Sequence, residues 1–303
     1  MQIIVFGASG FVGRHIFSHA SNQRYEVLGT ASRMGKSGLV VFDLLKQRVK
    51  DCIPPDFLNT DEPKFGVISI KYGPMDRYTN DPTESFQVEV EKTILLIEDL
   101  LLLGIKPVYL ASSYVFDGNT GYYPEDYPHS PISRYGAHKS EVETYLRGKP
   151  RTTLTLRLDK MVGDSPDEAH LFSEWYQWAA QNRPITCIAG QIISPTFVGD
   201  VARGVLVSCQ LGLSGIYNLV NPEIFPREEL ARQFCLNVGL RTEILSRTEE
   251  ELGLLDRRPL RSYLDPSKFF QETGMSYTSM RQVFTRFKRN LDQVAIPPLP
   301  ENT

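Results

Sequence analysis

Met1-Gln-Ile-Ile-Val-Phe-Gly7-Ala-Ser-Gly10-Phe-Val-Gly13-Arg-His15 opens the chain and decides its fold. Ile3 to Phe6 are consecutive apolar residues, the pattern of a strand buried on both faces. Glycines at 7, 10 and 13 follow at once, and the sequence then turns amphipathic, as a helix does. A strand, a tight turn and a helix N-terminus together make an anion site. Unpaired backbone N–H groups and the positive end of the helix dipole face whatever lies over the turn. Gly7 permits the turn, Gly10 lets a diphosphate approach the backbone, and Gly13 lets the helix pack closely on the strand. Ser9, Phe11 and Val12 fill the intervals and are expected to touch the same ligand. The spacing Gly-x-x-Gly-x-x-Gly is a weak pattern by itself, and its place directly after a buried strand is what favours nucleotide binding.

Outward from this stretch, residues 25–30 read as a second strand that ends in Ala31-Ser32-Arg33. Dinucleotide-binding folds that prefer NAD hold its ribose there with an acid. Here Arg33 can fork onto a ribose 2′-phosphate and Ser32 can donate to it, so NADP(H) is expected rather than NAD(H). Residues 39–44 read as a third strand, with Asp43 and Leu44 placed to hold an adenine, and residues 45–62 as a helix and loop. Residues 65–70, 107–111 and 152–157 are the fourth to sixth strands, and residues 84–103 a long helix with a wide apolar face.

Strands alternating with helices at this interval imply right-handed crossovers, hence an α/β fold with a doubly wound parallel sheet. Beyond Arg157, helices near 170–181, 228–238 and 279–291 accompany short apolar runs at 184–188 and 215–220. They suggest a smaller α/β substrate lobe over the carboxyl edge of the sheet, where ligands bind. The expected division is residues 1–160 for the cofactor domain, with sheet contributions from about 189–220, residues 161–295 for the interleaved lobe, and a flexible tail at 296–303.

The bulk numbers narrow the class. The chain has 303 residues, 41% hydrophobic and 23% charged, as in ordinary globular proteins. A net charge of −3 leaves no global basic footprint, so nucleic acid is not an expected partner. The longest apolar run, around residues 94–103, is broken by Glu98 and Asp99 and is too short to cross a bilayer. No leader pattern precedes the first strand, and a cytoplasmic location is expected. Four scattered cysteines without a Cys-x-x-Cys pair read as reduced, buried thiols. The five histidines show no ligand spacing with cysteines or acids, so no metal site is expected.

The chemistry resides in Ser133-Arg134-Tyr135-Gly136-Ala137-His138-Lys139, which opens a helix after a proline-rich loop. Tyr135 and Lys139 are four apart and share one helical face. A phenol is a poor acid–base group at neutral pH, and a neighbouring ammonium stabilises its ionised form. The same ammonium is suited to hold a nicotinamide ribose hydroxyl, and Tyr135 to exchange a proton with a carbonyl oxygen as hydride arrives from the cofactor. A second donor is needed for that oxygen, and the fifth strand ends in Ala111-Ser112-Ser113-Tyr114-Val115-Phe116-Asp117-Gly118.

Together these features resemble the extended short-chain dehydrogenase/reductases, a Rossmann-fold superfamily. The resemblance assigns a catalytic Ser-Tyr-Lys set to Ser112, Tyr135 and Lys139, with Ser113 as rival to Ser112. Within the superfamily three segments are similar to the dTDP-4-dehydrorhamnose reductase branch. They are Tyr114-Val-Phe-Asp-Gly118 with Ser130-Pro-Ile-Ser-Arg-Tyr135-Gly, then Ile193-Ser-Pro-Thr196-Phe-Val-Gly-Asp200, and Arg258-Pro259-Leu-Arg-Ser262-Tyr-Leu264-Asp265. The branch implies an NADPH-dependent reductase of a nucleotide-diphosphate 4-keto-6-deoxy sugar. It also implies Ser113, Tyr114, Thr196 and Arg258 at the sugar nucleotide, and a homodimer through helices near 84–103 and 135–147.

Three departures stand out. Ser69-Ile70-Lys71 replaces the family's Asn-Ala-Ala, Glu89 replaces an asparagine common in the long helix, and Asp159-Lys160 follows Arg157-Leu158 where relatives carry Arg-Thr. Lys71 and Lys160 read as surface charges in preference to substrate ligands. The alternatives are a sugar-nucleotide epimerase and a regulatory subunit that binds NADP without turnover. Ser32-Arg33 speaks against the first, and the intact Ser-Tyr-Lys set against the second. Dehydration is disfavoured because Ser113 and Tyr114 occupy the places where it needs an acid pair.

Overall fold

The computed structural model describes residues 1–33 and 38–293. Seven parallel strands form the central sheet. In chain order they are β1 (Gln2–Phe6), β2 (Glu26–Ala31), β3 (Val40–Val41), β4 (Lys64–Ile68), β5 (Lys106–Ser112), β6 (Leu154–Leu158) and Gly215–Asn218. In space they run Gly215–Asn218, β6, β5, β4, β1, β2, β3. The third strand is shorter than the apolar pattern at 39–44 suggests, and residues 45–62 hold only the short turns Val49–Asp51 and Pro55–Leu58. The expected tail at 296–303 lies outside the described residues.

The alternation along β1 explains its burial. Ile3 and Val5 pack on one face with Ile16, Ala20 and Val205, under helices Phe11–Asn22 and Val198–Gln210. Ile4 and Phe6 pack on the other with Leu96, Ile97 and Val142, under helices Thr93–Leu102 and Arg134–Arg147. A strand covered on both sides has no polar face, hence the unbroken apolar run. The long helix at 84–103 starts at Pro82 and contains a π-helical turn, Gln87–Lys92, between α-helical ends.

A second core forms around Phe172, Trp175, Phe234, Phe284 and Phe287. It joins helices Leu171–Ala180, Arg227–Val238 and Met280–Gln293 with the parallel pair Ile185–Ile188 and Ile244–Arg247. All four cysteines are free and buried. Among the described residues no helix is long and apolar enough to cross a membrane.

The chain order reverses beside β1, whose neighbours are β2 and β4. Connections leave in opposite directions there and open a crevice at the carboxyl ends of the strands. The glycine turn sits at that point.

Candidate active site

Gly7 adopts φ +85°, a conformation open to glycine, and a Cβ there would stand 2.9 Å from the Ser69 carbonyl oxygen. The turn closes through Gly10 N–H donating to the Gly7 carbonyl at 3.0 Å. A Cβ on Gly13 would overlap the Gly7 carbonyl, so this glycine serves the packing of helix on turn. Over the turn lies a cavity of about 550 Å³ that runs toward the second lobe.

Gly7, Ser9, Gly10, Phe11 and Val12 line this cavity, as do Ser32 and Leu44. Ser112, Tyr114 and Tyr135 line it too. Gly13 lies beneath the turn. Arg33 is exposed next to Ser32 and lies outside the wall. Asp43 also lies outside it and accepts from Leu45 N at 3.0 Å and pairs with Lys46. The cavity thus joins a diphosphate cradle to a hydroxyl pair, and the residues present fit a dinucleotide.

Tyr135 is set by several contacts from different parts of the chain. Ser133 caps its helix, accepting from Gly136 N at 2.9 Å. The Asp256 carboxylate accepts from Arg134 N at 3.0 Å and from Tyr135 N at 3.3 Å, satisfying two open amides of the first turn. A Cβ on Gly136 would overlap the Tyr114 carbonyl, so the helix lies directly against the segment after β5. The Tyr135 ring meets Tyr78 edge-on at 5.3 Å and Tyr114 at 5.8 Å.

Ser112 ends β5 with its Oγ accepting from Tyr114 N at 3.2 Å. Ser113 is fully buried and donates to Asp159 Oδ1 at 2.8 Å, so of the two serines Ser112 is the one that lines the cavity. Lys139 lies buried behind Tyr135, its Nζ 5.6 Å from the ring centroid and 3.0 Å from Glu89 Oε2. Burial works against that ammonium, but Glu89 and the nearby phenols outweigh it and hold its pKa well above the ordinary lysine value.

Thr196 and Arg258 do not line the cavity, although Arg258 acts electrostatically on Tyr114 and Arg227 in its wall. Thr196 is buried, donating to the Ser194 carbonyl and accepting from Asn221 N at 2.9 Å. Arg258 pairs with Asp76 at 2.8 Å.

Lys160 requires a correction. It lines the cavity, and burial pushes its pKa down to about 8, with Arg227 adding repulsion. The expected surface position fails because residues 160–162 pair with Pro195–Phe197, which draws the chain after β6 under the second lobe. Lys71 also lines the cavity although it is exposed, its Nζ 5.3 Å from the Tyr135 ring centroid. Arg227, which sequence reasoning missed, completes this cationic wall. Its Nη1 donates to Gln191 Oε1 at 2.7 Å and its Nε is buried without a partner. An arginine at the start of an amphipathic helix carries no signal that separates it from a solvated charge. His170, also unforeseen, stacks on Phe11 at 5.4 Å, and burial lowers its pKa to about 4, so it serves as a neutral aromatic wall.

Residues 1–293 match the family model described as the RmlD substrate binding domain. The chain belongs to this family. Among RmlD-like relatives, the spore coat polysaccharide biosynthesis protein SpsK of Bacillus subtilis is 24% identical over 94% of this chain and 96% of its own. Methionine adenosyltransferase 2 subunit beta of Pongo abelii is 24% identical over 88% of this chain and 81% of its own. The crystal structure of dTDP-4-dehydrorhamnose reductase from Bacillus anthracis in complex with NADP superimposes with TM-score 0.80 at 19% identity, covering 94% of this chain and 98% of that one. The RmlD-family fold therefore accounts for the described chain, with the Ser112–Tyr135 pair at its switch-point crevice.

Proposed function

We propose that this RmlD-family chain is an NADPH-dependent reductase of a nucleotide-diphosphate 4-keto-6-deoxy sugar. The observation that carries the reading is that Ser112 and Tyr135 line the same cavity as the glycine turn, with the Lys139 ammonium behind the phenol. When bound, a nicotinamide supplies the hydride. Tyr135 donates the proton to the carbonyl oxygen, Ser112 Oγ holds that oxygen, and Lys139 compensates the charge left on the phenol. Ser32 in the cavity wall and Arg33 beside it support NADPH over NADH. A panel of such sugar nucleotides assayed for NADPH oxidation tests the reading. Cofactor binding with no consumption by the wild type would sink it in favour of a binding-only subunit.

Two substitutions probe the ligands. Arg33→Ala is expected to weaken NADPH about tenfold and leave NADH unchanged in a fluorescence titration, because only the former carries the 2′-phosphate. Equal losses for both would remove Arg33 from that role. Lys160 is protonated below about 8, so attraction for the substrate diphosphate is full there and fades as pH rises through that value. Calorimetric titration with a nucleoside diphosphate should record this fall in the wild type and a flatter profile in Lys160→Met. A wild-type affinity constant across that range would place the diphosphate away from Lys160.

A further inference from the structure

The Lys139 ammonium has a second neighbour that the catalytic reading does not use. The π-helical turn Gln87–Lys92 interrupts the long helix, and such turns change the register of the side chains they carry. Glu89 on this turn is 2% exposed. Its carboxylate accepts from three donors: Lys139 Nζ at 3.0 Å, Tyr72 N at 2.7 Å and the Tyr78 hydroxyl. Burial opposes a charge on Glu89, but Lys139 and these hydrogen bonds outweigh it and hold its carboxyl below the usual range. Both members of the pair are therefore charged.

Tyr78 is fully buried, and its ring lies edge-on to Tyr135 at 5.3 Å. The other groups facing Tyr135 are Lys71 after β4, Tyr114 after β5, and Asp256 at its amide. Tyr109 of β5 and His138 of the same helix flank the Lys139–Glu89 pair. Among these groups, Lys139 is the buried cation beside the phenol and Glu89 the buried carboxylate beside that cation. A lone ammonium at this distance strongly favours an ionised phenol, whereas an ammonium paired with a carboxylate presents a dipole whose field falls off faster.

We propose that Glu89 is a positioning residue that offsets the Lys139 charge and thereby keeps Tyr135 a proton donor further into the alkaline range, a role that rests on the reductase reading. A reductase needs its acid protonated at working pH, and Glu89 serves that requirement.

Glu89→Gln keeps the size and an acceptor for the Tyr72 amide while removing the charge. Two measurements are made on it: the pH profile of kcat for NADPH oxidation, and the titration of Tyr135 by NMR of tyrosines labelled at the ζ carbon, assigned with Tyr135→Phe. Both the alkaline limb and the NMR midpoint are expected to move about one pH unit or more toward acid. Glu89→Asp, which retains the charge, should leave both near wild type, whereas a purely packing role would disturb Asp as much as Gln. Glu89→Asn replaces Gln if the latter does not fold, and NADPH binding reports assembly of the site in each variant. A midpoint that is unmoved in the neutral variants, or that moves toward alkali because Lys139 loses its charge without Glu89, overturns the role of Glu89. A midpoint that moves in a protein that reduces no sugar nucleotide overturns the reductase reading instead.

Discussion

Tyr135→Phe is expected to slow NADPH oxidation with a 4-keto sugar nucleotide by about 10²–10⁴-fold, the range for losing a general acid. The substitution removes one oxygen and keeps the ring, which is held edge-on by Tyr78 and Tyr114. Helix capping by Ser133 and Asp256 acts on backbone amides and is untouched. Stability and NADPH affinity should therefore stay close to wild type, so the loss should appear in kcat. Steady-state kinetics, thermal melting and a cofactor titration check the three parts separately. Undiminished turnover would move the proton to another donor, and Tyr114 in the same wall would be the first to examine.

The largest expected effect on stability lies at Arg157. Its side chain is fully buried, and its Nε and Nη2 donate to Glu143, the latter at 2.8 Å, while Nη1 donates to the Glu125 carbonyl at 3.1 Å. Arg157→Met leaves the Glu143 carboxylate in the core without its guanidinium and with the His129 ring as remaining partner, which costs about 3–5 kcal/mol. Burial opposes charge on Glu143, and Arg157 and His129 outweigh it, so its carboxyl sits below the usual range. A depressed carboxyl stabilises the fold above its unfolded value, and that contribution is lost as pH falls through the folded one. The variant lacks the Arg157 part of this contribution and should lose less stability on acidification than wild type. Urea unfolding at neutral and acidic pH measures both effects, and Arg157→Met/Glu143→Leu should recover much of the loss. A neutral-pH cost below about 1 kcal/mol, the value of an exposed pair, would show that water reaches Glu143.

What could be read from the sequence follows from how local each signal is. The glycine turn lies within thirteen residues of the N-terminus and its chemistry is backbone chemistry, so spacing reveals it. Tyr135 and Lys139 share a helical face, and Ser112 ends the preceding strand, so periodicity and topology bring the three together. Lys160 and Arg227 come from separate elements and converge only when the second lobe folds over the sheet. Each alone is a charged residue, and charged residues are usually solvated. Glu89 is legible as an unusual residue, but its inward position depends on a π-helical turn that 3.6-residue periodicity does not anticipate. Thr196 and Arg258 each have an internal partner, Asn221 N and Asp76, which their motifs alone do not reveal.

The Asp256 carboxylate at the start of the Tyr135 helix sets an order on biosynthesis. Chains emerge N-terminus first, and the glycine turn, Ser112, Tyr135 and Lys139 all leave the ribosome well over a hundred residues before Asp256. Until then the helix lacks the acceptor for the amides of Arg134 and Tyr135, although Lys160, His170 and Arg227 of the cavity wall have already been made. The nascent N-terminal half thus holds Ser112, Tyr135 and Lys139 without the carboxylate that caps the Tyr135 helix. The Tyr135 helix is therefore completed by a residue from the last third of the chain.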